Sequence, residues 1–183
     1  PIMRMDWIDY GARGREITRK KTNHIYPSIE TSFNSLASIC PERKEKLASR
    51  LGDIKKPGLG GFLPYTKAFP RSDFICHQTK DGYFSVKSMS SRTVGTESGN
   101  GENLRGYWLP FGSTFIVKDG TEYEKILSNW RWSKVPGVTA PDIVPSFKGY
   151  LKGTDKNVGV VSAGLYGISV MPLNTQETEC VRA

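Results

Sequence analysis

Apolar residues recur at two different periods along this chain. Between Ser28 and Ile39, the residues Ile29, Phe33, Leu36 and Ile39 stand three or four apart, which predicts a helix with one apolar stripe. Cys40-Pro41 opens a second helix, because proline suits the first turn and Glu42 sits near the positive end of the helix dipole. Leu47 and Leu51 lie one turn apart in it, and Gly52 reads as its stop. The simplest arrangement is two short antiparallel helices. The breaker cluster Lys55-Lys56-Pro57-Gly58-Leu59-Gly60-Gly61 then marks a domain boundary.

Beyond that cluster the period shortens. Asp73 to Gln78, Tyr83 to Ser90, Arg105 to Leu109, Thr114 to Lys118, Val158 to Val161 and Tyr166 to Met171 are short runs of β-branched and aromatic residues. Turn signals separate them, the clearest being Asp81-Gly82 and Asp119-Gly120. Glu122 to Trp130 stands apart, since Tyr123, Ile126, Leu127 and Trp130 predict a single amphipathic helix. Helices first and antiparallel strands afterwards give an α+β class with segregated elements, a helical part over 1–56 and a β part over 57–183.

Composition narrows the function classes. The 183 residues are 37% hydrophobic and include 4 Trp, 8 Tyr and 8 Phe, enough to fill a core and too many for a disordered tail. No apolar run reaches the roughly 18–20 residues of a membrane span, so no membrane partner is expected. The opening Pro1-Ile2-Met3-Arg4 has neither a start methionine nor a leader pattern and reads as the interior of a longer polypeptide.

Net charge is +8, and its excess is densest at Arg13, Arg15, Arg19, Lys20 and Lys21. Such a patch attracts polyanions, although a solvated basic face has the same composition. Nucleic acid is not expected as a partner, since charge and aromatics support it without any recognition motif. Cys40, Cys76 and Cys180 are scattered and odd in number, and neither His24 nor His77 has a companion at ligand spacing. No structural zinc, disulfide framework or cofactor is expected. Cys76-His77 is a poor nucleophile–base pair, because neighbours on a strand face opposite ways.

Two segments carry candidate chemistry. In Gly11-Ala12-Arg13-Gly14-Arg15-Glu16-Ile17-Thr18-Arg19, the residues Arg15 and Arg19 stand four apart, and on a helical turn their guanidinium forks share one face. Paired forks suit carboxylate, sulfate or phosphate oxygens, while a basic surface turn needs no ligand. The second segment, Ser91 to Trp108, is an unusually polar stretch between strands that holds Glu97, Asn100, Glu102 and Asn103. Loops held on a rigid sheet are where binding and catalysis are placed. A carboxamide there can hydrogen-bond a carboxylate, and a glutamate can orient a histidine.

The run Tyr83-Phe84-Ser85-Val86-Lys87-Ser88-Met89-Ser90-Ser91-Arg92-Thr93, followed by Glu97-x-x-Asn100-Gly101-Glu102-Asn103-Leu104-Arg105-Gly106-Tyr107, resembles the polysaccharide lyase family 8 enzymes. These include chondroitin AC, hyaluronate and xanthan lyases. Trp130-Arg131-Trp132-Ser133-Lys134-Val135-Pro136-Gly137-Val138-Thr139 and Gly14-Arg15-Glu16-Ile17-Thr18-Arg19 are similar to two further motifs of that family, and the pieces stand in family order. Chondroitin AC lyases look closest.

The resemblance implies the C-terminal helices of an α/α toroid over 1–56 and the first part of an antiparallel β-sandwich domain over 57–183. It implies cleavage of acidic glycosaminoglycan (chondroitin, or else hyaluronan) by β-elimination at a uronic acid, in a secreted or periplasmic enzyme. Family enzymes use an Asn and a His on the uronate carboxylate and a Tyr as the proton shuttle. Here Arg15 matches the arginine that supports the tyrosine and the glycosidic oxygen. Glu97 matches the glutamate that holds the histidine, and Arg19 and Asn100 match substrate-contacting positions. The catalytic Asn, His and Tyr belong upstream of the arginine motif, so the remainder of the polypeptide is an implied partner and this fragment alone is expected to be inactive. Arg131 and Ser133 stand where some members carry calcium-binding carboxylates, and with Asp142 alone remaining no metal is assigned. The alternative is a non-catalytic homologue that only grips anionic polysaccharide.

Overall fold

A computed structural model describes residues 27–55, 64–99, 103–118, 122, 123, 126, 129–156, 158–174 and 179–182. Helix α1 spans Pro27–Ile39 and helix α2 Lys44–Lys55, joined by a tight 3-10 turn at Pro41–Arg43. The Cys40 amide closes α1 on the Leu36 carbonyl at 2.9 Å. The two helices pack on each other, with Ile29, Phe33, Leu47 and Leu51 half-buried. Leu36 and Ile39 remain exposed among the described residues. Gly52 does not stop α2, which runs one turn further, where Asp53 pairs with Arg50 at 3.8 Å. A glycine inside a helix costs only about 0.5–1 kcal/mol against alanine, too little to end one by itself.

The strands are β1 (Tyr65–Phe69), β2 (Phe74–Gln78), β3 (Tyr83–Lys87), β4 (Val94–Ser98), β5 (Ser113–Val117), β6 (Gly149–Lys152), β7 (Gly159–Ala163), β8 (Tyr166–Asn174) and β9 (Glu179–Arg182). They form antiparallel sheets in the orders β1-β2-β3-β5, β4-β6 and β7-β8-β9. The β2–β3 hairpin is closed as the Asp81-Gly82 signal predicts. Thr79 takes the Gly82 carbonyl at 2.9 Å, and its hydroxyl accepts the Asp81 and Gly82 amides at 3.1 Å. Asp119-Gly120 lies outside the described residues.

Alternation sorts the four-stranded sheet into two faces. Phe74, Cys76, Tyr83, Phe115 and Val117 turn inward and are buried. They meet Leu109, Trp132 and Val135, with Tyr123 and Trp130 packed around them. The other face carries Thr66, Ile75, His77, Phe84 and Val86. The β7–β8 hairpin lies over part of it, fixed by Thr66 N–H on the Gly164 carbonyl at 2.7 Å and Ala68 N–H on the Ser162 hydroxyl at 3.0 Å. Cys76 is therefore sealed in the core, while His77 bonds the Thr66 hydroxyl through Nδ1 at 2.8 Å on the opposite face.

Three expectations are corrected. Arg105 to Leu109 is not a strand but contains a 3-10 turn at Gly106–Trp108. Its aromatics pack on one another instead of along a ladder, Tyr107 standing edge-on to Trp108 and stacked on Phe111. No described residue of 122–130 is helical. The Tyr123 hydroxyl accepts the Ile116 amide at 2.9 Å and Glu122 accepts the Lys118 amide, so these two residues sit at the open edge of β5 and supply acceptors to it; 124, 125, 127 and 128 lie outside the described residues. Finally, residues 94–98 of the polar stretch form β4, so Glu97 stands on a strand.

Candidate active site

Glu97 is half-buried on β4, directly opposite Tyr150 of β6, with a bulge in the pairing between Val94 and Glu97. The turn after the strand is tied back to it. Asn103, wholly buried, donates its side-chain amide to the Glu97 carbonyl at 2.7 Å, and its own carbonyl accepts the Gly99 amide at 2.7 Å. Gly106 packs against this asparagine so closely that a Cβ would stand 2.1 Å from its amide atoms. The Glu97-x-x-Asn100-Gly101-Glu102-Asn103-x-x-Gly106 spacing thus has a structural component, since Asn103 and Gly106 interlock to hold the segment behind Glu97.

Glu97 lines a groove of about 700 Å³ whose other charged walls are Arg71, Lys87, Arg92 and Lys152. With one carboxylate among four cations, its charged walls are net positive. Two of these cations are fixed internally. Lys87, 6% exposed, donates its ammonium to the Ser72 carbonyl at 2.9 Å and the Ser88 carbonyl at 2.5 Å. Arg92 donates to the Val158 carbonyl at 2.7 Å, the Lys156 carbonyl at 3.2 Å and the Asp73 carboxylate at 3.3 Å.

Asp73 is the post on which this wall stands. It is fully buried, holds a left-handed backbone with φ of 44°, and accepts the Thr93 hydroxyl at 2.5 Å as well as Arg92. The Thr93 hydroxyl also accepts the Ser90 amide at 3.0 Å, and the Ser90 hydroxyl accepts the Arg92 amide at 3.2 Å. The Ser90-Ser91-Arg92-Thr93 part of the motif is therefore a knot that locks β3 to the 155–158 segment. Sequence reasoning passed over Asp73, whose only signal is an acidic residue at the mouth of a strand. It also passed over Arg71, which lies far along the chain from its groove neighbours Tyr150 and Lys152.

Of the residues assigned from sequence, only Glu97 falls in described structure. Arg15, Arg19 and Asn100 lie outside the described residues. At the W-x-W-x-K segment, Asp142 accepts hydrogen bonds from the Ser133 hydroxyl and the Arg131 guanidinium, with the Lys134 ammonium 4.0 Å away. The Ser133 bond, seconded by the charges of Arg131 and Lys134, outweighs desolvation and holds this carboxyl below its ordinary range. Among the described residues no three His, Cys, Asp or Glu side chains gather as a metal would require.

A second cavity, of about 670 Å³, lies between β8 and the sheet face that carries His77, Phe84 and Val86. Ile75, Leu165, Ile168 and Met171 make it mostly apolar, and it lacks the cations an acidic sugar needs.

Residues 64–183 match the model of the polysaccharide lyase family 8 super-sandwich domain. The chain is 36% identical over 188 aligned positions to the chondroitinase-AC of Pedobacter heparinus, covering 99% of this chain and 27% of that protein. It also superposes with a TM-score of 0.76 and 27% identity on a chondroitinase AC lyase whose active site was revealed by enzyme–oligosaccharide complexes and mutagenesis. That match covers 98% of this chain and 27% of the other. The chain thus spans about a quarter of the length of these relatives. With its super-sandwich domain matched over residues 64–183, the chain belongs to polysaccharide lyase family 8.

Proposed function

We propose that this chain is part of a lyase that cleaves acidic glycosaminoglycan, chondroitin first and hyaluronan second, by β-elimination at a uronic acid. The observation that carries the reading is Glu97, on a family-matched strand, at the wall of a groove dominated by cations. Residues 1–56 are the end of a helical toroid domain and 57–183 the first part of the β-sandwich domain. The enzyme works outside the cytoplasm, secreted or periplasmic, where its polymer is found.

The reaction removes the proton alpha to the uronate carboxylate, and negative charge then concentrates on that carboxylate. Donors placed to bond it more strongly as charge develops lower the barrier, one such donor being worth about 3–4 kcal/mol. Glu97 fixes the tautomer and direction of the histidine that serves as one donor. Arg15 lies beside the tyrosine, favours its phenolate and so brings a weak base closer to neutral pH. The same guanidinium faces the leaving glycosidic oxygen, while Arg19 and Asn100 hold the sugar. The Asn, His and Tyr come from polypeptide outside these 183 residues. Arg15→Ala and Glu97→Gln, made in the full-length enzyme, should each lower kcat on chondroitin by at least about a hundredfold. Near-normal kinetics in both variants would overturn the site assignment.

A further inference from the structure

The alternation that should govern β4 breaks after its second residue. Val94 is exposed and Gly95 buried, so a regular strand would turn Thr96 outward and Glu97 inward. Instead Gly95 and Thr96 are buried in succession, and the half-buried residue that follows is Glu97. The pairing with β6 shifts at the same place, between Val94 and Glu97. A bulge of this kind adds one residue to a strand and re-aims the side chains beyond it. Glu97 therefore reaches the groove only because the strand has slipped by one position.

The ladder holds that register weakly. Among the described residues β4 pairs with β6 alone, and only Glu97 and Ser98 are paired beyond the bulge. A slip of one residue would exchange the two faces. The firmer grip comes from Asn103, which is wholly buried and takes the strand at two points. Its side-chain amide donates to the Glu97 carbonyl at 2.7 Å, and its main-chain carbonyl accepts the Gly99 amide at 2.7 Å. These bonds fix the peptide planes on either side of Ser98, directly after Glu97. Gly106, buried in the 3-10 turn, packs on the carboxamide with no room for a side chain of its own.

We infer that Asn103 is a positioning residue for the proposed elimination, holding β4 past its bulge so that the Glu97 carboxylate stays on the groove side. The inference rests on the lyase reading above and adds a residue to it. With no exposed surface, Asn103 acts through Glu97 and touches no sugar.

The test is the steady-state kinetics of full-length enzyme variants on chondroitin. Asn103→Asp keeps the shape of the side chain but offers the Glu97 carbonyl no donor when ionised. It should lower kcat by roughly ten- to a hundredfold, the scale of a misplacement of about 1 Å, with KM within about threefold. Gly106→Ala, whose Cβ would stand 2.1 Å from the carboxamide atoms, should give the same split. Gly167→Ala controls for lost packing, since its Cβ would stand 2.5 Å from Ile75 in the lining of the apolar cavity. It should lower the melting temperature while kcat stays within about twofold. In a Glu97→Gln background, Asn103→Asp should cost less than about threefold more, because the group it positions is already gone. A normal kcat in folded Asn103→Asp and Gly106→Ala enzymes, or an undiminished loss in the Glu97→Gln background, would overturn the positioning role alone. So would an equal loss of kcat in Gly167→Ala, or failure of both Asn103→Asp and Gly106→Ala to fold, since either assigns Asn103 to stability. Normal kinetics in Glu97→Gln itself would overturn the reading beneath the inference.

Discussion

Asp73 carries more of the groove wall than any residue whose charge is visible from outside. Its carboxylate receives a hydroxyl and a guanidinium in a site without solvent, and its main-chain carbonyl takes the Ser88 amide at 2.8 Å. Asp73→Ala should therefore lower the unfolding free energy by about 2–4 kcal/mol in urea titrations, since charge-assisted bonds are lost and Thr93 keeps its polar group buried. A change under about 0.5 kcal/mol, the size of a neutral surface substitution, would show that the knot is decorative. Asp142 provides a contrasting case at the surface. Its pKa is held below the ordinary 3.8 by the Ser133 hydroxyl, then by Arg131 and Lys134. A carboxyl depressed by folding stabilises fully above its unfolded pKa, and loses that contribution as pH falls through the lower folded value. Asp142→Asn should thus lower the melting temperature at pH 6, and the gap to the parent chain should close below pH 3.8. A gap that stays constant across that acid range would mean that the carboxylate charge plays no part.

At the scale of elements, α2 offers a direct test of local propensity. Gly52 lies inside that helix, has no positive φ, and a Cβ there meets nothing within 4 Å. Gly52→Ala should raise stability by about 0.5–1 kcal/mol through the unfolded chain's lost freedom, read as a higher urea midpoint. No gain, or a loss, would mean that the helix is not formed there in solution. The same reasoning explains which elements were legible from sequence. α1, β2, β3 and β5 announce themselves because Ile29, Phe33, Phe74, Tyr83, Phe115 and their neighbours fall at the period of the element they build. β4 does not, because its buried positions are Gly95, Thr96 and Ser98. At Gly95 even a Cβ would stand 2.9 Å from Met89 and Pro110, so that position carries no apolar side chain to mark the strand. β6 is four residues long with only alternate positions half-buried. Of Glu122 to Trp130, Glu122 and Tyr123 bond the open edge of β5, and no described residue there is helical. Within the site, Glu97 was legible only as part of a family motif. Its groove was not legible, since Arg71 in a 3-10 turn, Arg92 in the turn after β3 and Lys152 on β6 line it together with no local signal in the sequence.

The whole molecule separates binding from turnover. Its net charge of +8 and the cationic groove favour a polyanion at low salt, with an affinity that falls as screening grows. On the proposed mechanism, nothing in the described residues removes the proton. His77 is bonded to Thr66 on the face away from the core, and Tyr150 lies on a strand with no arginine of the family motif assigned beside it. The isolated chain, mixed with chondroitin, should therefore give no rise in the ultraviolet absorbance of an unsaturated uronate, while the full-length enzyme does. The assay needs a check of monodispersity, because Phe84, Ile116, Tyr166 and Ile168 leave an exposed apolar surface through which chains can associate. A steady rise from monodisperse chain would place the proton-shuttling base within these 183 residues, and the division of the active site between this segment and the rest of the enzyme would have to be redrawn.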